Sequence, residues 1–344
     1  LIGVGCSFQI MQMNLVFPDR VVIKDGIIKY SNGDSIDLLQ YDSNIITIDG
    51  IDYTFTYFEE KPINKGGNSI ILKLFETQNL IVEDGLPQYD TPDLVLKINK
   101  WREKAIPTKS SKRFRNEILA LEKCLENNFA NIIRIYDSGL ASIDHKKYLY
   151  YTMEYANMDL KKFVESNHNT MSFETKISLC ISLARGVKEL KSLGVYHRDL
   201  KPDNIFIAEN SWWKLGDLGL VAGDGFREYI LDLDDINEFV GPRGWISPEA
   251  MNKYLTENKG FFNQFDCVID HQSDIYQLGK IFWYIFQHNS PLGYLKLSDF
   301  VIRDQRIFYL IRSMLYYSKK NRIKDISEII TILEKIEKSL LKVA

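Results

Sequence analysis

The chain has 344 residues, with 43 Lys and Arg against 46 Asp and Glu and a formal net charge of −3. That balance excludes a nucleic-acid binder held by bulk positive charge, because phosphate affinity needs clustered cations. A composition of 45% hydrophobic and 26% charged residues excludes a disordered chain, and the length holds one large domain or two moderate ones. Cys6, Cys124, Cys180 and Cys267 are scattered, with no Cys-x-x-Cys pair. They are expected to be reduced core residues of a cytoplasmic protein, not disulfides or zinc ligands. The longest apolar stretch, residues 281–286, is too short to cross a bilayer, so no membrane span is expected. The chain opens on Leu1, which predicts a fragment or a processed chain. Residues 1–17 lack a basic leader and are not read as a signal peptide.

From about residue 17 to residue 58 the pattern is that of strands. Val21-Val22-Ile23-Lys24 and Ile27-Ile28-Lys29-Tyr30 flank Asp25-Gly26, and Asn32-Gly33 follows as a second turn. Ile45-Ile46-Thr47-Ile48 and Ile51-Asp52-Tyr53-Thr54-Phe55 flank Asp49-Gly50. Two-residue Asp-Gly loops suit type I′ turns, which need positive φ, so hairpins are predicted. Residues 1–56 are expected to form a small β-hairpin appendage of unknown role, a sheet extension that packs on the next domain. The pattern stays β-rich as far as Lys100, broken by a polar, Pro-containing connection at 83–92.

From Ser110 the spacing changes to that of a helix, with Ile118, Leu121, Cys124 and Leu125 on one face. Residues 173–193 repeat this with Ile177, Cys180, Ile181, Ala184, Val187 and Leu190. A closing helix is predicted near Asp325, where Asp325 and Glu328 can form a capping box before an apolar run. Strands first and helices second predict an α+β chain with two unequal lobes.

The strongest chemical signal is His197-Arg198-Asp199-Leu200-Lys201-Pro202-Asp203-Asn204, followed by Asp217-Leu218-Gly219. One loop can bring together an Asp that accepts a hydroxyl proton, a Lys that balances phosphate charge and an Asn that offers oxygen to a metal. Asp217 adds a second hard oxygen, which suits Mg²⁺ bridging phosphates. Through these residues the sequence resembles the eukaryotic-type (Hanks-type) protein kinases, whose catalytic loop reads H-R-D-x-x-x-x-N and whose metal motif reads D-F-G.

The resemblance runs from near Tyr57 to the C-terminus. It implies a bilobal protein-kinase-like fold with a β-rich N-lobe over residues 57–155 and a helical C-lobe over 156–344. Asp93-Leu94-Val95-Leu96-Lys97-Ile98 looks like the strand that carries the phosphate-binding Lys, and Glu117 like its partner on the following helix. Met153 would be the gatekeeper of a hinge in which backbone groups of Glu154 and Ala156 meet adenine. Asp159 would meet the ribose, and Ile71, Val95 and Phe206 would sandwich the purine. Ser247-Pro248-Glu249 resembles the A-P-E motif, Asp274 the Asp that orders the catalytic loop, and Arg322 the partner of Glu249. His197 is then a core residue and not a general base.

The chain also departs from the family pattern. In the phosphate-covering loop, 63–71, Asn64 and Ser69 replace two glycines, leaving Gly66 with Gly67 beside it, and weakened ATP affinity is expected. Leu218 replaces the usual Phe. Pro242 stands where a Thr that bonds the catalytic Asp and Lys is usual. Residues 218–246 hold no Ser or Thr, with Tyr229 the one phosphorylatable hydroxyl, yet contain Asp224, Glu228, Asp232, Asp234, Asp235 and Glu238. One or more of these carboxylates is expected to pair with Arg198 in place of a phosphate, with a solvated acidic loop as the plain alternative.

The resemblance therefore implies a Ser/Thr protein kinase, Lys201 being usual in that branch. Asp199, Lys201 and Asn204 would be catalytic, Asn204 and Asp217 would bind Mg²⁺ (or Mn²⁺), and the protein substrate would offer a Ser or Thr. ATP would be bound by Gly66, Gly67, Ile71, Val95, Lys97, Glu117, Met153, Glu154, Ala156, Asp159, Phe206 and Asp217. The rival readings are a pseudokinase scaffold with weak or no transfer, and a kinase for a small metabolite.

Overall fold

The computed structural model describes residues 9–12, 21–24, 27–30, 35–37, 45–57, 69–79, 81–83, 86–88, 91–143, 146–208, 212–223, 230–236, 238–257, 265–291, 293–302 and 304–341. The chain divides into two compact units, Leu1–Ile118 with Arg134–Tyr155, and Leu119–Ile133 with Ala156–Ala344.

The first unit is built on strands. In chain order they are β1 (Gln9–Gln12), β2 (Val21–Lys24), β3 (Ile27–Tyr30), β4 (Ser35–Asp37), β5 (Ile45–Ile48), β6 (Ile51–Tyr57), β7 (Ser69–Glu76), β8 (Ile81–Glu83), β9 (Leu86–Gln88) and β10 (Leu94–Asn99). Helix α1 (Lys109–Glu126) follows, then β11 (Ile135–Ile143) and β12 (Lys146–Met153). Seven strands join one sheet in the order β1-β11-β12-β10-β7-β6-β5, while β2–β4 form a separate meander and β8–β9 a hairpin. Residues 1–56 thus contribute both to the main sheet and to a sheet of their own, and β6 runs through the boundary expected at 56/57.

The β5–β6 turn has the predicted chemistry. Asp49 and Gly50 take φ of 50° and 81°, both positive as a type I′ turn requires. The Asp25-Gly26 and Asn32-Gly33 turns lie outside the described residues. Alternation then sorts the side chains: Ile46, Ile48, Tyr53, Phe55, Leu72, Leu74, Leu96, Ile98 and Tyr150 share one buried cluster.

The second unit starts with β13 (Ala156–Asp159), α2 (Leu160–Asn167), α3 (Phe173–Ser192), β14 (Val195–Tyr196), β15 (Ile205–Ala208), β16 (Trp213–Leu215) and β17 (Ala222–Gly223). Helices α4 (Pro248–Thr256), α5 (His271–Gln287), α6 (Gln305–Met314) and α7 (Ile326–Leu341) complete it. Helix α3 buries Ile177, Cys180, Ile181, Ala184, Val187 and Leu190, the predicted stripe, together with Leu179 and Leu183. Asp325 caps α7 by accepting from the Ser327 N–H. Helix α5 is buried almost all round, as expected of a helix inside a core and not on its surface. Each large aliphatic side chain buried there contributes roughly 1.5–3 kcal/mol over its exposed state. Asp270 caps α5 by accepting from the Gln272 N–H, which fixes where the helix begins and so which residues share a face. No helix among the described residues is long and apolar enough to cross a membrane.

Candidate active site

The sheet of the first unit collects five expected or neighbouring residues on the face opposite its core. Register pairs lie on the same face, and residues two apart on a strand share it. Lys97 on β10 pairs with Ile71 on β7 and with Tyr151 on β12, and Val95 pairs with Met153. Ile71, Val95, Lys97, Tyr151 and Met153 therefore share one face. Beside it, the Lys97 Nζ lies 2.7 Å from the Glu117 Oε1, with side chains only 8% and 2% exposed. The Tyr151 hydroxyl donates to the same Oε1 at 3.0 Å, and the ammonium stands 5.7 Å from the Tyr151 ring centre. Tyr151 was not among the expected site residues. Its signal was in the sequence, two positions before Met153 on a strand, hence on the same face as Met153.

In the second unit the loop 197–204 closes on itself. Asp199 Oδ2 accepts from Lys201 Nζ at 2.9 Å and from Asn204 Nδ2 at 2.8 Å. Asn204 Nδ2 also donates to the Asp199 carbonyl at 2.9 Å. Pro202 starts a 3-10 turn over Pro202–Asn204, its ring suiting the first helical position, and this turn brings Asn204 back over Asp199. Burial raises the Asp199 carboxyl above the ordinary aspartate range, against the lowering pull of Lys201. His197 is fully buried and donates through Nε2 to the Gly216 carbonyl, 3.1 Å away. Its burial lowers its pKa and keeps the imidazole neutral, as befits a core residue.

The backbone under the loop hangs from α5. Asp274 accepts from the His197 and Arg198 N–H groups, each at 2.8 Å. Arg198 is left-handed, φ 68°, and so is Asp217, φ 56°. For residues other than glycine this conformation is strained, and strain of this kind collects at functional sites. The residue before Asp217 must be small: a Cβ on Gly216 would lie 2.8 Å from the Phe206 ring and 2.9 Å from Ile133. Phe206 itself sits on β15 opposite Asp159, and the Asp159 carboxylate caps α2 through the Lys162 N–H at 2.9 Å. Just after β12, the Glu154 N–H donates to the Arg134 carbonyl at 3.0 Å.

The Arg198 side chain reaches the acidic segment, as expected. Its guanidinium pairs with Asp232 at 3.3 Å and with Asp234, which Lys253 also approaches at 3.2 Å. Burial raises the Asp232 carboxyl, but Arg198, the Asp234 N–H and Lys253 outweigh it and hold its pKa below the ordinary range. Asp235 does something else, its N–H donating to Glu238. Strands β14 and β17 pair, which ties the start of this segment to the chain just before the loop. Further on, Glu249 and Arg322 form the expected buried pair at 2.7 Å, and Ser273 donates to Glu249 at 2.8 Å. Pro242 offers no side-chain donor, and its carbonyl accepts from the Trp245 N–H at 3.0 Å.

Asn204 and Asp217 suit a hard divalent cation. The Asn204 amide is oriented by its nitrogen, bonded twice to Asp199, so its oxygen is the atom left for a metal. Together with a carboxylate this is an oxygen donor set of the kind Mg²⁺ takes. Gly66 and Gly67, expected to cover the phosphates, lie outside the described residues, as do Asp224, Glu228 and Tyr229.

Human activin receptor type-1B is 33% identical over 129 residues, 35% of this chain and 24% of the receptor, and its mouse counterpart matches equally. A probable LIM domain-containing serine/threonine-protein kinase of Dictyostelium discoideum is 27% identical over 202 residues, 56% of this chain and 28% of that protein. The chain thus spans about a quarter of the length of these curated relatives. Residues 92–342 match the family described as the protein kinase domain. That match covers Val95, Lys97, Tyr151 and Met153 of the sheet face, the loop 197–204 and the whole of α5, and the chain belongs to the protein kinase family.

Proposed function

We propose that the protein is a Ser/Thr protein kinase that transfers the γ-phosphoryl group of Mg-ATP to a Ser or Thr hydroxyl of a protein substrate. The observation that carries this reading is the catalytic loop, where Lys201 and Asn204 converge on one oxygen of Asp199. Asp199 orients the acceptor hydroxyl and takes its proton, and Lys201 steadies the charge of the transferring phosphoryl. Lys97, aligned by Glu117 and Tyr151, holds the α- and β-phosphates. A Mg²⁺ (or Mn²⁺) ion held by Asn204 and Asp217 would neutralise charge on the β- and γ-phosphates.

For the nucleotide, Ile71, Val95 and Phe206 pack on the purine, Met153 bounds its depth, Asp159 meets the ribose, and Gly66 and Gly67 cover the phosphates. The N–H of Glu154 donates to the Arg134 carbonyl, which supports the Glu154 carbonyl as its adenine contact, with Ala156 beside it. Arg198 pairing with Asp232 and Asp234 supplies the charge that a phosphate would otherwise bring, so activity needs no phosphorylation of this segment. Lys201 and the serine/threonine-protein kinase from Dictyostelium support Ser/Thr acceptors. The free thiols of Cys124, Cys180 and Cys267 support a reducing compartment, the cytoplasm.

The test is transfer of radiolabel from ATP, with Mg²⁺, to the protein itself and to a generic basic protein, for wild type and Asp199→Asn together. Label present in wild type and lost in the variant establishes catalysis, and phosphoamino-acid analysis should then give Ser or Thr and not Tyr. Label in neither points to the second reading, a pseudokinase scaffold. Pro242, with no donor where the acceptor is presented, is the observation that favours it.

A further inference from the structure

Beyond Ser273 in its first turn, helix α5 carries one stripe of buried polar side chains: Asp274, Gln277 and Lys280, 2%, 2% and 6% exposed. Residues three apart lie on one face of a helix. Burying an amide and an ammonium in a helical core is costly unless each is hydrogen-bonded, so the bonds they make carry the meaning of the stripe.

Gln277 makes two. Its Nε2 donates to the Arg198 carbonyl at 3.1 Å, and its Oε1 accepts from the Leu200 N–H at 3.2 Å. Those groups belong to the two peptide units on either side of the Asp199 Cα. One side-chain amide therefore fixes both planes that set the direction in which Asp199 leaves the backbone. The carboxylate's own bonds come from Lys201 and Asn204 in the same loop, so they move with the loop and do not fix it to the core. Asp274 holds the preceding N–H groups of His197 and Arg198, one turn of α5 earlier.

Lys280 continues the stripe toward the segment 241–246. Its Nζ donates to the Gly244 carbonyl at 2.5 Å. The same segment passes directly over the Gln277 clamp: a Cβ on Gly241 would lie 3.4 Å from the Arg198 carbonyl oxygen and 3.6 Å from Gln277 Nε2. Pro242 has no side-chain donor with which to tie this segment to Asp199 itself. The tie runs through α5.

We propose that Gln277 is a positioning residue for Asp199 and that Lys280, one turn on, positions the segment 241–244 against it. Resting on the kinase reading above, this assigns to α5 the alignment of proton acceptor and phosphate acceptor. Gln277→Met keeps length and shape without either hydrogen-bonding atom, and Lys280→Met keeps the stem without the charge. With the full chain, Mg-ATP and a generic basic protein, Gln277→Met should lose roughly 10–100-fold in kcat with the ATP KM unchanged, since small misplacements of reacting groups have effects of that order. Lys280→Met should act mainly on the KM for the protein acceptor.

Amide hydrogen exchange supplies a readout that does not need activity. In Gln277→Met the Leu200 amide should exchange faster while those of His197 and Arg198, held by Asp274, stay protected. An unchanged Leu200 amide, or a faster one with unchanged kcat, overturns the proposal. A wild type that transfers nothing sinks the kinase reading, while Leu200 exchange still decides the clamp. If Gln277→Met does not fold, Gln277→Glu carries the test. A neutral carboxyl can reproduce both bonds, whereas the ionised one loses its donor toward Arg198. The kcat of Gln277→Glu relative to wild type must then rise as pH is lowered; a ratio flat with pH refutes the positioning role.

Discussion

Lys97 in the first unit and Asp199 in the second are both buried charges, yet they are held in opposite ways. Lys97 is fixed by side chains: Glu117 at 2.7 Å, with Tyr151 bonded to the same oxygen. Asp199 is fixed chiefly through its backbone, on peptide groups anchored to α5 by Asp274 and Gln277. A charge placed by a partner loses both placement and compensation when the partner goes. A charge placed by its backbone can be removed without disturbing the scaffold. The contrast separates residues whose loss should unfold from residues whose loss should only silence.

The largest expected effect sharpens this. Asp199→Asn should lower kcat by roughly 10²–10⁴-fold, the range general-base catalysis supplies. It should leave the melting temperature unchanged or raise it at neutral pH. Burial raises the folded-state pKa of Asp199 above its unfolded value, so the ionised carboxylate weakens folding. The stability linked to protonation is present below the unfolded pKa and is lost as pH rises through the folded one, so above the folded pKa the ionised carboxylate carries the full penalty, which Asn removes. Calorimetry beside the transfer assay checks both halves. A marked fall in melting temperature would contradict this account of Asp199.

Glu117→Ala should behave in the other way. It strands the Lys97 ammonium in a site where the pair is almost fully buried, and removing one partner of such a pair costs about 3–5 kcal/mol. Chemical denaturation should show that loss, and a double variant, Glu117→Leu with Lys97→Met, should recover much of it while remaining inactive.

The acidic segment tests a third mode of holding. Asp232→Asn with Asp234→Asn removes both partners of Arg198 and should reduce the rate by roughly 10–100-fold, an effect of the size of one lost charge-assisted contact of ~1.5–3 kcal/mol. A rate that stays at the wild-type level would leave the acidic segment without a regulatory role. The smallest effect belongs to a cap: Asp159→Ala should lower stability by about 1 kcal/mol through the lost bond to the Lys162 N–H. The same change should weaken ATP more than it weakens the fold if Asp159 also meets the ribose. Across pH, wild-type kcat/KM should fall on the acid side at a pH above the ordinary aspartate range, because Asp199 must be ionised to accept a proton and burial has raised its pKa.

Much of this was legible in the chain itself. Asp49-Gly50 between two alternating runs fixed a hairpin, because few residue pairs tolerate positive φ twice. The stripe of α3 and the placing of Lys97 and Glu117 followed from periodicity and motif, and both are where they were expected. The acidic composition of 218–246 pointed to partners for Arg198, although which carboxylates would reach it was open. Asp232 and Asp234 do so, while Asp235 turns to Glu238. Tyr151 went unremarked because a Tyr on a strand reads as core until register shows which face it shares. Gln277 was hidden for another reason. Its meaning depends on two backbone atoms nearly eighty positions earlier in the chain, and backbone groups have no signature in a sequence.

The sequence by itself determined the β5–β6 hairpin, the apolar stripe of α3 and the chemical identity of the charged groups. Those depend on local sterics, on hydrophobic period and on side-chain chemistry, all of which travel with the residue. The tertiary structure alone decided how those groups are aimed. Arg198 and Asp217 hold left-handed backbone conformations that their side chains disfavour. A helix more than seventy positions away holds the peptide groups on both sides of Asp199. Such aim comes from hydrogen bonds between side chains of α5 and backbone groups of a distant loop, and they exist only once the core has closed around α5.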